Sequence, residues 1–494
     1  MADIILIQPR LGEMDFLRTQ PFLPLNLLHA ATLVDKEYKI KILDQRIDKN
    51  WQKTLSEELL KAPLCVGIVA YTGKIISHAL EISRFVKKRV NVPVVWGGIH
   101  ASLLPEQTLK SKYIDIVVQG EGEVTFLELV RAMEKGKSLK GIEGVWFKNN
   151  GEIQRNPPRG FLNLNELPEI PYHLVDVHRY APVYKGRPSL SLQTSRGCIY
   201  HCVYCYNNSY NHSKWRSLTA ENTLKRIRYI VDKFNIKSIY IIDDNFFIDL
   251  ERAEDIARRI IKENLNIEWH VQGGPDFNAL EKMGEDFLRL LEKSGCVRIS
   301  CGVESGNAGV RSKLNKGSNP DKIIKMNKMI SKYKIIVYYS FMTGLPGESK
   351  DDLRQTISIL FRLLKDNKNA RSSPIYPFIP FPGIPLTQLL ENKGYKSPAA
   401  LNEWQNYDFD NFRFSDVPYI SDEIKKILKN NSLYLISFFV DEKLREYKTS
   451  KIIRLLALIY RPIARFRIRH LFLKLPFESK IIDLFFKLKL KNKT

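Results

Sequence analysis

The sequence predicts an α/β protein built on two parallel sheets: a doubly wound, Rossmann-like domain over residues 1–147, a linker over 148–188, a partial (β/α)6 barrel of TIM type over 189–393, and a mainly helical C-terminal region over 394–494. Three observations carry this reading. Short apolar runs alternate with helix-period segments in two separate series, the pattern of parallel strands joined by crossover helices. The runs end in glycine or polar clusters, as strands do where they feed a helix. Between the two series lies an Asn- and Pro-rich stretch, KNNGEIQRNPPRG and then LPEIPYH, which reads as a domain boundary.

In the first series DIILIQP and YKIKILD are strands around the helix PLNLLHAATLVD, and a helix near 52–61 precedes the strand LCVGIVAYTG. SHALEISRFVKKR is a helix before VPVVWGG, another helix follows Pro105, and DIVVQGEGE leads into the helix TFLELVRAME. Ligands of open α/β sheets sit at the carboxyl ends of strands. Thr72, Gly73, Gly97, Gly98, His100, Glu121 and Gly122, which stand at three such ends, are therefore candidate contacts for a planar or anionic ligand. The alternative for the glycines is a tight strand-to-helix turn. In the second series SLSLQTS is followed by helices near 218–234, 250–264, 285–294, 320–332 and 350–366, which lead to the strands SIYIIDDN, IEWHVQGG, VRISCGVESG and IIVYYSFMTGLPGE and then to the irregular SSPIYPFIPFPGIPL. Six strand–helix units of this length predict a full or partial parallel barrel.

The 494 residues exceed one ordinary domain, and 44% apolar with 27% charged residues is an ordinary globular balance. Six cysteines are too few for a disulfide framework; three of them fall within residues 198–205, which predicts a reducing compartment and a metal or redox role. The opening MADIILIQPRLG lacks the charged and long apolar regions of a signal peptide, so a cytoplasmic location is expected. The apolar window LLALIY at 455–460 is closed by Arg454 and Arg461 and is too short to span a bilayer. Net charge is +23, and the tail 443–494 holds fifteen Lys/Arg against Glu446, Glu478 and Asp483, interleaved with Ile, Leu, Phe and Tyr. That composition suits a membrane-surface helix, placing the protein peripherally at the inner membrane surface; the alternative is a solvated basic helix packed by its apolar side. No nucleic-acid module accompanies the charge, so no nucleic-acid partner is expected.

The stretch TSRGCIYHCVYCYN supplies Cys198, Cys202 and Cys205 and then no fourth cysteine. Three thiolates on one loop just past a strand can hold three irons of a cubane cluster and leave the fourth open to a ligand. A zinc site completed by His201 or His212, or plain buried cysteines, are the alternatives. Asp243 and Asp244 end one barrel strand, where they serve either a ligand or as helix N-caps. Glu304, followed by Ser305, ends another, and a carboxylate there is costly to bury unless something pairs with it. Cys296 and Cys301 read as small core residues.

These residues resemble the radical S-adenosylmethionine (radical SAM) enzymes: GCIYHCVYCYN is similar to their cluster motif, and IIDDN, ISCGVESG, FMTGLPGES and PFIPFPGIPL are similar to their later strand ends. The resemblance implies a [4Fe-4S] cluster on Cys198, Cys202 and Cys205, with S-adenosylmethionine contacted by Tyr204, Asp243, Asp244, Glu304 and Ser305. It departs at WHVQGGPDFN, where relatives often carry an arginine at the position of Gly274. The first domain, through PLNLLHAATL, VWGGIHASLLPE and VVQGEGEVTFLEL, resembles the cobalamin-binding domain that precedes many such barrels, so the resemblance spans residues 1 to about 393. No Asp-x-His-x-x-Gly motif is present, which implies cobalamin bound without a protein imidazole. The family resemblance implies reductive cleavage of S-adenosylmethionine and functionalisation of an unactivated carbon, by methylation or, as in the magnesium-protoporphyrin cyclases grouped with hopanoid methylases, by cyclisation or oxidation. A reductase such as flavodoxin or ferredoxin and an apolar small-molecule substrate are the expected partners. A zinc-binding or cobalamin-sensing regulator is the reading from another class.

Overall fold

The structure is a computed structural model that describes residues 3–12, 20–184, 187–409, 411–414, 417–445, 451–473 and Glu478. The chain forms two compact units, one of residues 1–182 with 380–387 and 396–411, the other of 183–379 with 388–395 and 412–494.

The first unit is built on seven strands: β1 (Ile4–Gln8), β2 (Ile40–Asp44), β3 (Cys65–Val69), β4 (Val94–Gly97), β5 (Ile116–Val118), β6 (Val145–Asn149) and β7 (Glu152–Arg155), in the order β2-β1-β3-β4-β5-β6-β7. The first five are parallel, joined by helices that include Leu25–Val34, Ile75–Lys87 and Gly122–Glu134. β1 and β3 are buried at every position, as central strands covered on both faces must be. Two apolar cores follow, one around Ile5, Ile68 and Trp96, the other around Ile4, Leu6 and Phe126. β6 and β7 add an antiparallel hairpin, so residues 148–155, expected in the linker, extend this sheet instead. The signal was present: Asn150 and Gly151 both take positive φ (50° and 85°), the two-residue Asn-Gly turn whose twist matches paired strands.

The second unit opens with the short pairs β8 (Val183–Tyr184) and β9 (Arg187–Pro188), then β10 (Leu190–Leu192), and β11 (Ser195–Arg196) paired with β12 (Arg216–Ser217). β13 (Ser238–Ile241), β14 (Glu268–Val271), β15 (Cys296–Glu304), β16 (Ile336–Thr343) and β17 (Ala370–Pro377) complete a six-stranded parallel sheet in simple chain order, β10-β13-β14-β15-β16-β17. Strands that pair in chain order, each followed by a helix, form the open (β/α)6 barrel expected from the periodicity. The crossover helices are capped by sequence: Thr219 accepts from Asn222 N, Asp249 from Arg252 N, Asn319 from Lys322 N, and Ser349 forms a capping box with Asp352. The helix expected near 285–294 begins earlier, at Phe277, because Asp276 caps it; Gly284, at φ 64°, breaks it midway and hides its first half from a periodicity reading. The C-terminal region is mainly helical, with Asp422–Leu428, Ser432–Ser437 and Lys451–Arg469. Among the described residues no helix is long and apolar enough to cross a membrane. Residues 446–450, 474–477 and 479–494 of the expected membrane tail lie outside the described residues.

Candidate functional site

The three cysteines lie on the loop after β11, each partly exposed, and the loop is fastened at both ends. Gly197, at φ 85°, brings its backbone so close to Lys214 that a Cβ there would lie 1.9 Å from the Lys214 carbonyl oxygen, which requires glycine. Asn208 Nδ2 donates to the Cys202 carbonyl at 2.7 Å and the Cys205 carbonyl at 3.3 Å. Val203 N donates to Leu314 O at 3.2 Å and Asn315 Nδ2 to His201 O at 3.0 Å, so the turn after the helix Ala308–Lys313 pins the middle of the loop. Asn245 Nδ2 stands 3.9 Å from Cys198 Sγ. Neither Asn245 nor Asn315 was singled out by sequence, because each acts across a long chain separation without a local motif.

Burial pushes the Cys205 thiol up to about 11 and raises that of Cys198, so an incoming iron must displace the protons of these two thiols. Among the described residues no three His, Cys, Asp or Glu side chains converge closely enough for a single metal ion. His201 pairs its Nδ1 with Ser213 Oγ at 3.0 Å. The donor set is three sulfurs on one loop, and a cubane, which puts each thiolate on a different iron, needs no common point of convergence.

Asp243 and Asp244 end β13 and brace this loop. Asp243 accepts from Thr194 N at 2.6 Å, Thr194 Oγ1 at 2.6 Å and Ser195 Oγ at 2.7 Å. It is 2% exposed, and burial raises its carboxyl above the usual range despite the nearby Arg252 charge and these donors. Arg252, itself buried, ties the same corner through Leu218 O at 2.6 Å and Thr194 Oγ1 at 2.8 Å. Asp244 accepts from Gly197 N at 2.7 Å and from the Tyr206 hydroxyl. In this structure the Asp243 carboxylate is thus taken up by the residues that lead into the cysteine loop.

Glu304 closes β15 with φ 64°, at a register shift against β16. Its Oε1 accepts from Tyr204 OH at 3.0 Å, both oxygens stand 3.3 Å from Ser340 Oγ, and Lys316 Nζ lies 3.7 Å away. This is the pairing its burial demanded. Burial would lower Lys316, but the Glu304 carboxylate and Cys202 outweigh it and raise its pKa; burial and then Glu304 drive Tyr204 far upward, keeping the phenol protonated as donor. Gly302 makes the room: a Cβ there would meet Glu304 Oε1 at 2.1 Å and Lys316 Nζ at 2.8 Å. Ser305 is fully buried, its hydroxyl 3.2 Å from Thr356 Oγ1 and accepting from Asn307 N in the turn after β15. Gly274, the departure from the family pattern, has steric cause: a Cβ would lie 1.7 Å from Ser300 O.

At the end of β16, Glu348 Oε2 accepts from Thr343 Oγ1 at 2.9 Å, Gly344 N at 2.6 Å and Leu345 N at 3.3 Å, closing the TGLPGE turn. Burial, the dominant influence, pushes its carboxyl up from 4.5 to about 7. In that window the folded chain holds a proton that the unfolded chain has released, so stability falls as pH rises from about 4.5 to 7 and stays lower above. Glu348→Gln is expected to remove this fall, a wild-type-minus-variant difference of about 3 kcal/mol in the change of unfolding free energy between pH 4.5 and 8. Urea unfolding at the two pH values checks it, and parallel profiles would refute it.

In the first unit the strand ends carry bare backbone. Gly97 and Gly120 have open space beyond their Cα atoms, with no atom nearer a built Cβ than 3.9 Å at Gly97 and none within 4 Å at Gly120. Gly98, at φ 97°, instead packs against Ala70 O, and Gly73 packs against Tyr407 and Asp408 of the same unit. Thr72 Oγ1 and His100 Nδ1 are 2.9 Å apart, and His100 is 0% exposed and stands edge-on to Trp404. Burial lowers its imidazole to about 3, leaving it neutral. Glu121 accepts from Leu162 N at 2.9 Å, beside Gly122 at the start of the helix Gly122–Glu134. The two open glycines are the kind of cradle that admits a broad planar ligand such as a corrin, and the residues fit it at Gly97 and Gly120.

A parallel half-barrel with three thiols on its first loop, joined to a doubly wound domain with a glycine cradle, defines the class of iron–sulfur radical enzymes that carry a corrinoid-binding domain. Residues 192–360 match the radical SAM superfamily and residues 20–130 the B12 binding domain. An uncharacterized methyltransferase of Pyrococcus horikoshii is 30% identical over 424 residues, 85% of this chain and 88% of its own. The anaerobic magnesium-protoporphyrin IX monomethyl ester cyclase of a Synechocystis species is 22% identical, covering 68% of each chain. Among solved structures, the cobalamin-dependent S-adenosylmethionine radical enzyme OxsB, with aqua-cobalamin and S-adenosylmethionine bound, superposes at TM-score 0.72 and 19% identity, over 99% of this chain and 75% of that one. The chain belongs to the cobalamin-dependent, methyltransferase-like branch of the radical SAM superfamily.

Proposed function

We propose that this enzyme binds a [4Fe-4S] cluster, S-adenosylmethionine and cobalamin, and C-methylates an unactivated carbon of an apolar small molecule. The observation that carries this reading is the three-thiol loop, braced by Asp243 and Asp244 and joined through Tyr204 to the buried Glu304 with its partner Lys316 in one barrel. When bound, the three groups supply an electron, a hydrogen-abstracting radical and a methyl group. Cys198, Cys202 and Cys205 hold the cluster, Tyr204 lies by the adenine with its hydroxyl fixed on Glu304, and Glu304 with Lys316 presents a paired charge to the cofactor's polar end. Gly97 and Gly120 seat the corrin, and a small flavodoxin or ferredoxin delivers electrons. The cyclase relative favours a second reading, radical cyclisation of a tetrapyrrole without methyl transfer.

The test is anaerobic reconstitution with iron, sulfide and cobalamin, then dithionite and S-adenosylmethionine. Formation of 5'-deoxyadenosine with corrinoid retained through gel filtration is expected. Zinc in place of iron would end the proposal, and cleavage without retained corrinoid would move it to the second reading.

A further inference from the structure

We propose that the helix Lys451–Arg469 docks this protein on an anionic phospholipid surface, deepening the peripheral location suggested by the basic tail. Amphipathic helices on a globular protein normally turn their apolar side inward and their charges to water. This helix carries large apolar side chains on its outer side as well. Ala464 and Ile468, both fully buried, mark the inner face, and it packs against the helices Ser432–Ser437 and Lys350–Asp366 of its own unit. Arginines anchor that side: Arg465 Nε donates to Val440 O at 2.8 Å, Arg467 pairs with the buried Glu478, and Arg469 lies 4.5 Å from the Phe361 ring. Outward go Leu455, Ile459, Ile463 and Phe466, exposed by 57%, 61%, 49% and 58%. Their spacing of i, i+4, i+8 and i+11 makes one continuous stripe along the helix. Large exposed apolar patches mark interaction surfaces.

Charge selects the occupant. Between Lys451 and Arg469 the sequence KIIRLLALIYRPIARFRIR contains no acidic residue, and the exposed Lys451 and Arg454 flank the start of the stripe. Apolar side chains of this size on a cationic helix fit the headgroup–acyl boundary of an anionic leaflet, where insertion and charge attraction act together. A protein partner would need a matching acidic apolar groove, and a second copy of this chain presents the same cations, which repel.

The proposal is independent of the chemistry at the cysteine loop, and its test does not read catalysis. The full-length protein, purified anaerobically, is floated with phosphatidylglycerol–phosphatidylcholine vesicles and with pure phosphatidylcholine vesicles. Retention on the anionic vesicles at least about tenfold above the zwitterionic ones, weakened by added salt, is expected. Ile459→Glu/Phe466→Glu, both at exposed positions, is expected to cut anionic retention by at least about tenfold with unchanged circular dichroism. Equal flotation on both vesicle types overturns the proposal whether or not the variant folds. So does a wild type that stays in solution but sediments as a dimer, which would assign the stripe to self-association.

Discussion

Cys202→Ala is expected to form no 5'-deoxyadenosine and to lose at least about a hundredfold in iron retention, since even changes to groups that merely orient metal ligands cost about 10–100-fold. Cys202 sits mid-loop, its thiol 3.9 Å from Asn315 O and its carbonyl held by Asn208, so the fold of the loop does not depend on its sulfur. The internal control is Cys301→Ala. Cys301 is buried in β15 and burial pushes its thiol up to about 12, which makes it inert as a ligand. That variant is expected to keep both iron and activity, at the cost of a small core cavity. Visible absorption per chain after reconstitution, with chromatography of the nucleoside product, reads both variants. Iron lost equally from both would mean that the cluster assignment rests on protein stability rather than on ligation.

The parts of this molecule legible in its sequence were the local and the repeating ones. Three cysteines within one loop need no tertiary information, and the alternation of apolar runs and helical segments repeats often enough to name the barrel. Roles set across the fold were less accessible. Asp243 and Asp244 were visible as strand-end carboxylates, but whether they face a ligand or other parts of the chain depends on the segment Thr194–Gly197, 47 to 49 residues earlier, curling back onto them. Arg252, which completes that corner, sits within a helix whose charged pattern gives no hint that one arginine turns inward. His100 followed a Gly-Gly turn and so looked available. Its burial comes from residues near Trp404, which belong to the first unit although they lie just over 300 residues further on, where Trp404 Nε1 donates to Gln107 Oε1 at 2.7 Å.

Asp243→Ala is expected to destabilise the barrel unit by about 3–5 kcal/mol, because it removes the nearby carboxylate that offsets the buried Arg252 charge and strands three donors at once. Arg252 is 7% exposed, burial already lowers its pKa, and the Asp243 carboxylate opposes that effect more than any other charge. Without the carboxylate, Thr194 N and the Thr194 and Ser195 hydroxyls also lose their acceptor, and these residues lead directly into Gly197 and the cysteine loop. The loss should therefore appear twice, in urea unfolding and in iron retained per chain. Adding Arg252→Met to Asp243→Ala removes the orphaned charge and is expected to recover part of the stability, as paired removal of buried ions commonly does, while leaving iron retention low because the donors of Thr194 and Ser195 remain unanchored. The opposite pattern decides against a bracing role. If Asp243→Ala unfolds like the wild type and keeps its iron but no longer binds S-adenosylmethionine, the carboxylate contacts the cofactor, and the closed hydrogen-bond set around it must open when the cofactor enters.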